Sequence, residues 1–189
     1  MTEMRPATTE TISRLPGDPP ARESVARMIR VDHAGEYAAV RIYQGQLAAL
    51  RTRGKLDLLR HMLTQEQRHL ATFEDLIAGR QVRPTALLPI WHLAGFALGA
   101  LTAALGERSA MACTVAVEET IDAHYQKQIA ALDQTEADLR TTISQFRDEE
   151  LEHRDTALAH GAEQAPAYRV LGAVIKAGCR AAIALSERI

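Results

Sequence analysis

The sequence predicts an all-α protein whose main body is a four-helix bundle, and three observations lead to that prediction. Apolar residues recur at every third or fourth position through long stretches, and no stretch alternates as a half-buried β-strand would. Hydrophobic residues make up 47% of the 189 positions but aromatic residues only 4%, a balance that favours closely packed helices. The helical stretches also form two pairs with short loops, separated by one long connection, and short loops imply antiparallel neighbours.

The first 22 residues are predicted to be a disordered tail that precedes a single domain at residues 23–189. The tail contains four prolines, three acidic residues and no apolar run, so we expect neither a secretion signal nor a mitochondrial transit sequence. The formal net charge of -2 gives no general basic field, and we therefore expect no nucleic-acid partner. Cys113 and Cys179 belong to no paired motif and are expected to be buried free thiols in a reducing compartment.

Glycine and proline residues set the expected ends of the helices. Gly54 and Gly79 are expected to end the first two helices. Thr135 and Asp138 fit a capping box at the start of the fourth helix, and Pro166 suits the first position of a last helix. The predicted helices therefore cover residues 24–53, 56–78, 108–132, 135–160 and 166–183, the last continuing to the C-terminus.

The long connection, residues 84–106, is a different kind of segment. Between Arg83 and Glu107 no residue carries a full charge, and an apolar segment of this length can in principle cross a bilayer. A single crossing would, however, place the two helix pairs on opposite sides of the membrane. We therefore predict an apolar helix that lies in one leaflet beside the last helix, with burial inside a soluble oligomer as the alternative. Basic residues of the last helix that would meet anionic headgroups are Arg169, Lys176, Arg180 and Arg188.

One long crossover between two tightly joined pairs is the connection pattern of ferritin-like proteins. The predicted fold class is therefore a ferritin-like four-helix bundle with an extra apolar, membrane-associating helix in the crossover and a further helix at the C-terminus.

Two halves of the sequence repeat one arrangement of acids and histidines. Each half carries a single Glu on one helix and a Glu-x-x-His pair on the next, with the acids at positions 36 and 66, then 118 and 150. Residues three apart on a helix lie about 60° apart around its axis, so this pair can bind one ion from one face. Four carboxylates and two imidazoles are the ligand set of di-iron and di-manganese bundles. The predicted metal ligands are Glu36, Glu66, His69, Glu118, Glu150 and His153.

Adjacent acids make two of these positions ambiguous, and the apolar stripe of each helix resolves them. Glu118 shares a stripe with Met111, whereas Glu119 lies about 100° away around the helix. Glu150 lies on the stripe of its own helix and Glu149 lies off it. A single Glu-x-x-His is usually a solvated pair, but two copies in the same helix order favour a metal site over that interpretation. A metal would also offset the cost of burying these acids.

Longer motifs surround these residues over most of the chain. They are RVDHAGEY (30–37), RPTALLPIWHLAGFALGA (83–100), ACTVAVEETIDAHY (112–125), FRDEELEHRD (146–155) and APAYRVLGAVIKAGCRAAIALSERI (165–189). Together they resemble the demethoxyubiquinone hydroxylase family of coenzyme Q biosynthesis, from Ser24 to Ile189. The resemblance implies a membrane-bound di-iron monooxygenase that inserts one oxygen atom of O2 into the ring of a demethoxylated ubiquinone precursor.

The resemblance also implies ligands, cofactors and partners. It assigns the metal to the same six residues and adds a pair, His124 and Tyr125, linked to substrate or electron delivery. It implies two iron ions that change between Fe2+ and Fe3+, with O2 as co-substrate and NADH as the external reductant. It further implies a lipid-binding accessory protein and peripheral or monotopic attachment to a membrane. A homo-oligomer is a further expected partner, which the resemblance does not decide. That membrane would be the inner or plasma membrane of a bacterium, at its cytoplasmic face, or the inner mitochondrial membrane of a eukaryote, at its matrix face.

The residues themselves leave several alternatives open. Tyr125, seven residues beyond Glu118, can link the metals to a bound ring or simply be a core tyrosine. His124 is equally consistent with a surface or core histidine. Asp32 and Asp122, each four residues from a predicted ligand, can orient histidine side chains or be ordinary surface acids. The alternative function is an iron-binding or peroxide-scavenging relative of ferritin and rubrerythrin, and a third is a structural membrane protein whose acids form ion pairs.

Overall fold

The computed structural model describes residues 21–50 and 53–189, and over these residues the chain forms six α-helices and no β-strand. Two short 3₁₀ turns, Gln134–Glu136 and Ala162–Gln164, precede the fifth and sixth helices. The predicted all-α fold class is therefore confirmed. The helices are α1 (Ala21–Ala49), α2 (Arg53–Arg80), α3 (Leu88–Ala104), α4 (Glu107–Ala131), α5 (Ala137–Ala159) and α6 (Tyr168–Ser186).

The first two helices differ from the prediction at their ends. Helix α1 begins at Ala21, inside the predicted tail, whose residues 1–20 lie outside the described part of the chain. It ends at Ala49, and Gly54 lies in the first turn of α2 instead of ending α1. Helix α2 also continues through Gly79 to Arg80, after which Gln81 leaves the helix with a φ of 54°. Glycine keeps its backbone N–H and C=O groups and costs a helix only about 1 kcal/mol relative to alanine, so its presence alone did not fix either boundary.

The predicted capping box at the start of the fourth bundle helix is wrong. Asp133 instead accepts a hydrogen bond from the backbone N–H of Thr135 at 2.8 Å, and this closes a turn two residues before α5. An Asp side chain readily bonds to the backbone two residues ahead, and here that local contact competes successfully with the predicted one. Helix α5 then begins at Ala137 without a capping side chain.

Helices α1, α2, α4 and α5 form the bundle, and each contributes to two apolar clusters at its opposite ends. Helix α1 passes from Ile29 in one cluster to Tyr43 in the other, and α4 passes from Met111 to Tyr125 in the reverse sense. Helices α2 and α5 likewise connect the two clusters. The middle of every bundle helix therefore lies between two hydrophobic layers, and the predicted ligands occupy this middle layer.

Helix α3 packs on α1 through glycines that bring the two backbones into contact. A Cβ atom at Gly99 would lie 1.9 Å from the carbonyl oxygen of Ile42, and one at Gly45 would lie 2.2 Å from that of Phe96. Only a residue without a side chain permits such an approach. Gly45 lies at this close contact, whereas Gly35 of the same helix faces open space.

Helices α3 and α6 cover α1 and α4 respectively and expose apolar side chains. The exposed fractions are 72% for Leu93, 66% for Leu101, 65% for Val170 and 66% for Val174. At one end the two helices meet, where the indole N–H of Trp91 donates to the Ser186 hydroxyl at 3.0 Å. Among the described helices, none has the length and apolar character needed to cross a bilayer.

Candidate metal centre

The middle layer of the bundle brings together the six side chains that the sequence repeat predicted. Each bundle helix turns its ligand stripe inward, because that stripe also carries the apolar residues of the two core clusters. All six side chains are buried, with exposed fractions of 2% or less. They are Glu36 on α1, Glu66 and His69 on α2, Glu118 on α4, and Glu150 and His153 on α5.

The six side chains form two overlapping groups, each of three carboxylates and one imidazole. Within each group the potential ligand atoms all lie within 4.8 Å of one another. Glu66 and Glu150, the acids of the two Glu-x-x-His pairs, belong to both groups. One group is completed by Glu36 and His69, the other by Glu118 and His153. Two groups that share two carboxylates could hold two adjacent ions.

The imidazole Nδ1 atoms point into these groups. His69 Nδ1 lies 3.0 Å from Glu150 Oε1 and 3.6 Å from Glu36 Oε2. His153 Nδ1 lies 3.1 Å from Glu66 Oε1 and 3.2 Å from Glu150 Oε2. Each histidine therefore approaches two carboxylates of its own group through the same ring nitrogen.

Burial and crowding perturb the protonation of this cluster strongly. Burial raises the pKa of Glu66 and of Glu118 well above the ordinary value, and the charge of Glu150 adds to the rise. Burial opposes ionisation of Glu150 as well, but the hydrogen bond with His153 and the nearby His69 lower its pKa to about 2. Burial alone would lower the pKa of His69, yet the adjacent carboxylates, Glu150 first, raise it to about 11. Without an ion, the cluster thus holds protons that a bound cation would displace.

The donor set fits a metal, because several buried carboxylate oxygens lack a partner among the described residues. They accept no hydrogen bond, although an imidazole nitrogen lies near some of them. An unsatisfied buried carboxylate oxygen is costly, and removing that cost requires a proton or a cation. The oxygens are Glu36 Oε2, both oxygens of Glu66, Glu118 Oε2 and Glu150 Oε1.

The sequence model of one protein family, described as "Ubiquinone biosynthesis protein COQ7", matches residues 23–186. The chain belongs to this family. Over 177 residues it is 59% identical to the 3-demethoxyubiquinol 3-hydroxylase of Rhodospirillum rubrum, an alignment covering 93% of this chain and 84% of that protein.

Eukaryotic members are also similar. The rat protein named NADPH-dependent 3-demethoxyubiquinone 3-hydroxylase, mitochondrial, is 55% identical over 171 residues, which are 88% of this chain and 79% of that protein. The Saccharomyces cerevisiae protein named 5-demethoxyubiquinone hydroxylase, mitochondrial, is 43% identical over 180 residues, which are 86% of this chain and 77% of that protein. The family predicted from the sequence motifs is therefore confirmed.

In this member of the COQ7 family, two tyrosines hold the acids that are not shared between the groups. The Tyr125 hydroxyl donates to Glu36 Oε1, and the Tyr43 hydroxyl donates to Glu118 Oε1 at 2.9 Å. Each tyrosine follows one of these acids by seven residues and contacts the acid of the opposite half. The sequence analysis singled out Tyr125 but missed Tyr43, although the same seven-residue spacing occurs in both halves.

The outer nitrogen of each imidazole also has a partner from the opposite half. His69 Nε2 lies 2.8 Å from Glu149 Oε2, and His153 Nε2 lies 3.0 Å from Gln65 Oε1. A hydrogen bond to this nitrogen fixes the ring orientation and the tautomer, which leaves Nδ1 free to bind a metal. Sequence reasoning missed both partners, because both lie off the apolar stripes of their own helices.

His124 lies outside the ligand cluster. Its Nε2 atom is 3.3 Å from Asp32 Oδ1 and 2.9 Å from the side-chain nitrogen of Gln128, and its side chain is 16% exposed. Asp32 is buried and contacts His124, not a ligand histidine. Asp122 pairs with Arg147 at 2.6 Å, so the interpretation of Asp122 as a residue that orients a ligand is wrong. Tyr125 alone connects the predicted His–Tyr pair directly to a ligand carboxylate.

Proposed function

We propose that this chain hydroxylates the ring of a demethoxyubiquinone or demethoxyubiquinol precursor with O2, at a site that holds two iron ions. The observation that carries the proposal is the buried cluster of four carboxylates and two imidazoles in a chain of the COQ7 family. Relatives that are 59% and 55% identical are named as 3-hydroxylases of these substrates. The six side chains that would hold the ions are Glu36, Glu66, His69, Glu118, Glu150 and His153.

The donor set favours iron or manganese over a closed structural zinc site. Carboxylates and imidazoles suit iron, and four acids offset the charge of two ions that change oxidation state. When bound, the iron ions would activate O2, a reaction that amino-acid side chains alone do not carry out. Iron is therefore the metal in our proposal, as the sequence analysis predicted.

The protein's own residues would arrange and isolate the site. The two apolar clusters on either side of the ligand layer would limit the access of water to it. Tyr43 and Tyr125 hold Glu118 and Glu36 by hydrogen bonds, which restrict the carboxylates to a few orientations. We propose that His124 and Tyr125 serve substrate or electron delivery, because Tyr125 contacts the ligand Glu36 and the neighbouring His124 contacts Asp32.

The reaction requires an external electron donor. Inserting one oxygen atom of O2 into the ring and reducing the other to water consumes two electrons. We propose a reduced nicotinamide nucleotide as their source and begin from NADH, as the sequence resemblance implies. The rat relative is named NADPH-dependent. Initial rates with NADH and with NADPH at equal concentration would identify the preferred donor for this chain.

The activity test uses the full chain, reconstituted with ferrous iron without oxygen and then given O2 and a short-chain demethoxyubiquinol. We expect a product that is 16 Da heavier than the substrate with ordinary O2 and 18 Da heavier with 18O-labelled O2. Glu118→Ala is expected to reduce both bound iron and product. Consumption of oxygen or peroxide without ring hydroxylation would support the ferritin or rubrerythrin alternative. Failure to bind iron would leave only a structural role.

We further propose that the protein lies on one leaflet of a membrane through α3 and α6. Both helices expose apolar side chains, and the segment at residues 84–106 contains no fully charged residue. A polyisoprenoid substrate stays within the bilayer, so such attachment would bring the site to it. Our proposal places the chain at the cytoplasmic face of a bacterial inner or plasma membrane, or at the matrix face of a mitochondrial inner membrane. From the resemblance we also propose a lipid-binding accessory protein, and we propose a homo-oligomer as a further partner.

The combined substitution Leu93→Glu and Leu101→Glu is expected to weaken attachment to phospholipid vesicles by at least about tenfold. Each leucine forfeits roughly 1.5–3 kcal/mol of apolar transfer free energy and adds a charge. Co-sedimentation with vesicles containing anionic phospholipid measures the effect. The matched control is Thr64→Glu with Thr141→Glu, which adds the same charge at exposed positions of α2 and α5. Loss of self-association in the leucine variant, without vesicle binding by the unmodified chain, would instead support the soluble oligomer.

A further inference from the structure

The two halves of the metal centre support their histidines through equivalent positions but with different chemistry. In each Glu-x-x-His pair, the residue just before the Glu contacts the histidine of the other half. In α5 this residue is Glu149, whose Oε2 lies 2.8 Å from His69 Nε2. In α2 it is Gln65, whose Oε1 lies 3.0 Å from His153 Nε2. One imidazole therefore donates to a carboxylate and the other to a neutral amide.

The carboxylate ligands of the two groups and their tyrosine contacts are closely matched. Both groups contain the shared acids Glu66 and Glu150 and one acid of their own. Each of the unshared acids accepts a hydrogen bond from a tyrosine at the same spacing in the other half. The two histidines differ in their ring contacts, since His69 stacks on Phe146 and His153 meets Tyr43 edge-on. The difference between positions 149 and 65 is the one that changes the charge of a direct histidine partner.

A carboxylate partner makes an imidazole a stronger electron donor to a metal than an amide partner does, because negative charge on the acceptor draws the N–H proton away from the ring. Glu149 is well placed for this effect, since its side chain is only 17% exposed. Arg68 pairs with the same carboxylate oxygen and helps to fix it. The Arg68 side chain is 54% exposed, so solvent screens its charge and weakens its opposing effect on His69.

We propose that the two metal positions are inequivalent, and that the one containing His69 binds its ion more tightly and fills first because Glu149 supports that histidine. Glu149 and Gln65 thereby act as positioning residues that set the order of metal loading. This inference rests on the proposed two-metal site and assigns a distinct role to each half of it. The inference depends on one difference between equivalent positions: a carboxylate, that of Glu149, contacts His69, whereas an amide, that of Gln65, contacts His153.

The first test measures each position separately by titrating Co2+ into the full chain and recording its visible absorption. Glu118→Ala keeps the group around His69, and Glu36→Ala keeps the group around His153. We expect Glu118→Ala to bind its remaining ion at least about tenfold more tightly than Glu36→Ala binds its own. A difference of this size lies within the range typical of partners that support metal-binding histidines. Adding Glu149→Gln should remove this advantage, whereas adding Gln65→Glu to Glu36→Ala should tighten binding.

The second test exchanges the two partners in a chain with all six ligands. Glu149→Gln combined with Gln65→Glu keeps side-chain size and total charge and is expected to reverse the order in which the two absorption spectra appear. A purely structural role for Glu149 would weaken binding without reversing that order. Equal affinities in the two single-position variants, or an unchanged order of loading after the exchange, would overturn the inference. The proposed function would still stand if the unmodified chain bound two ions and hydroxylated its substrate. Absence of any Co2+ or iron binding by the unmodified chain would instead defeat the proposed function itself.

Discussion

Replacing Glu150 by alanine is expected to abolish binding of both metal ions, and ring hydroxylation with it. Glu150 belongs to both ligand groups and lies 3.0 Å from His69 Nδ1 and 3.2 Å from His153 Nδ1. Removing it leaves each group with two carboxylates and one imidazole and removes a carboxylate that both ions would share. Metal analysis after loading with ferrous iron should therefore find almost no iron. Glu36→Ala, which touches only one group, should retain about one ion per chain.

A stability measurement on the same variant separates metal loss from misfolding. A ligand at 100 times its dissociation constant stabilises the folded state by about 2.7 kcal/mol, so chelation should lower the melting temperature of the loaded unmodified chain. The Glu150→Ala chain should melt at one temperature with or without chelator. Glu152→Ala, at an exposed position of the same helix, serves as the control and should behave as the unmodified chain does. Two tightly bound ions in Glu150→Ala would contradict the shared-ligand arrangement.

The inward position of each predicted ligand followed from the pattern of its own helix. The apolar stripe selected Glu118 over its neighbour Glu119, and the structure buries Glu118 while Glu119 pairs with Lys176 near the surface. The same reasoning selected Glu150 over Glu149. A single helix suffices for this kind of prediction, because 3.6 residues per turn fixes which side chains share a face. Metal ligation by these residues stays a prediction until ions are measured.

Contacts between helices were harder to predict than positions within a helix. Gln65 and Glu149 lie beside the stripes of their helices, and they reach the opposite histidine only because of how α2 and α5 are rotated and aligned. That rotation depends on packing of side chains across the whole core, which a one-helix pattern does not contain. Tyr43 is different, since the internal repeat pairs it with Tyr125, and applying the repeat beyond the acids would have identified it.

The predicted ends of the first two helices were wrong for a related reason. Gly54 and Gly79 were expected to stop helices, yet both lie inside α2, close to its ends. Glycine lowers helix stability by about 1 kcal/mol relative to alanine, an amount that packing of a long helix easily exceeds. The glycines of α3 carry more information, because Gly95 and Gly99 lie one turn apart and face α1 together.

Substituting Gly99 by alanine is expected to cause a large loss of stability. Overpacking a core typically costs about 1–3 kcal/mol, and we expect the loss here to lie at or above the upper end of that range. The added Cβ would lie 1.9 Å from the carbonyl oxygen of Ile42 and 3.0 Å from the backbone nitrogen of Gln46. These are backbone atoms, so no flexible side chain can move aside, and α3 must separate from α1. Urea unfolding followed by circular dichroism would measure the change in the free energy of unfolding.

Gly35→Ala on α1 is the matched control, because a Cβ at Gly35 meets no atom within 4 Å. At this position the same substitution should stabilise the chain by about 1 kcal/mol through helix propensity alone. The change in the free energy of unfolding should therefore have opposite signs in the two variants. Displacing α1 should also disturb the metal centre, since α1 carries Glu36 and Tyr43 on the side that faces the bundle. Reduced iron affinity in Gly99→Ala, with normal affinity in Gly35→Ala, would show that the apolar helix in the crossover supports the site through α1. Unchanged stability in Gly99→Ala would mean that α3 does not hold its close contact with α1 in solution.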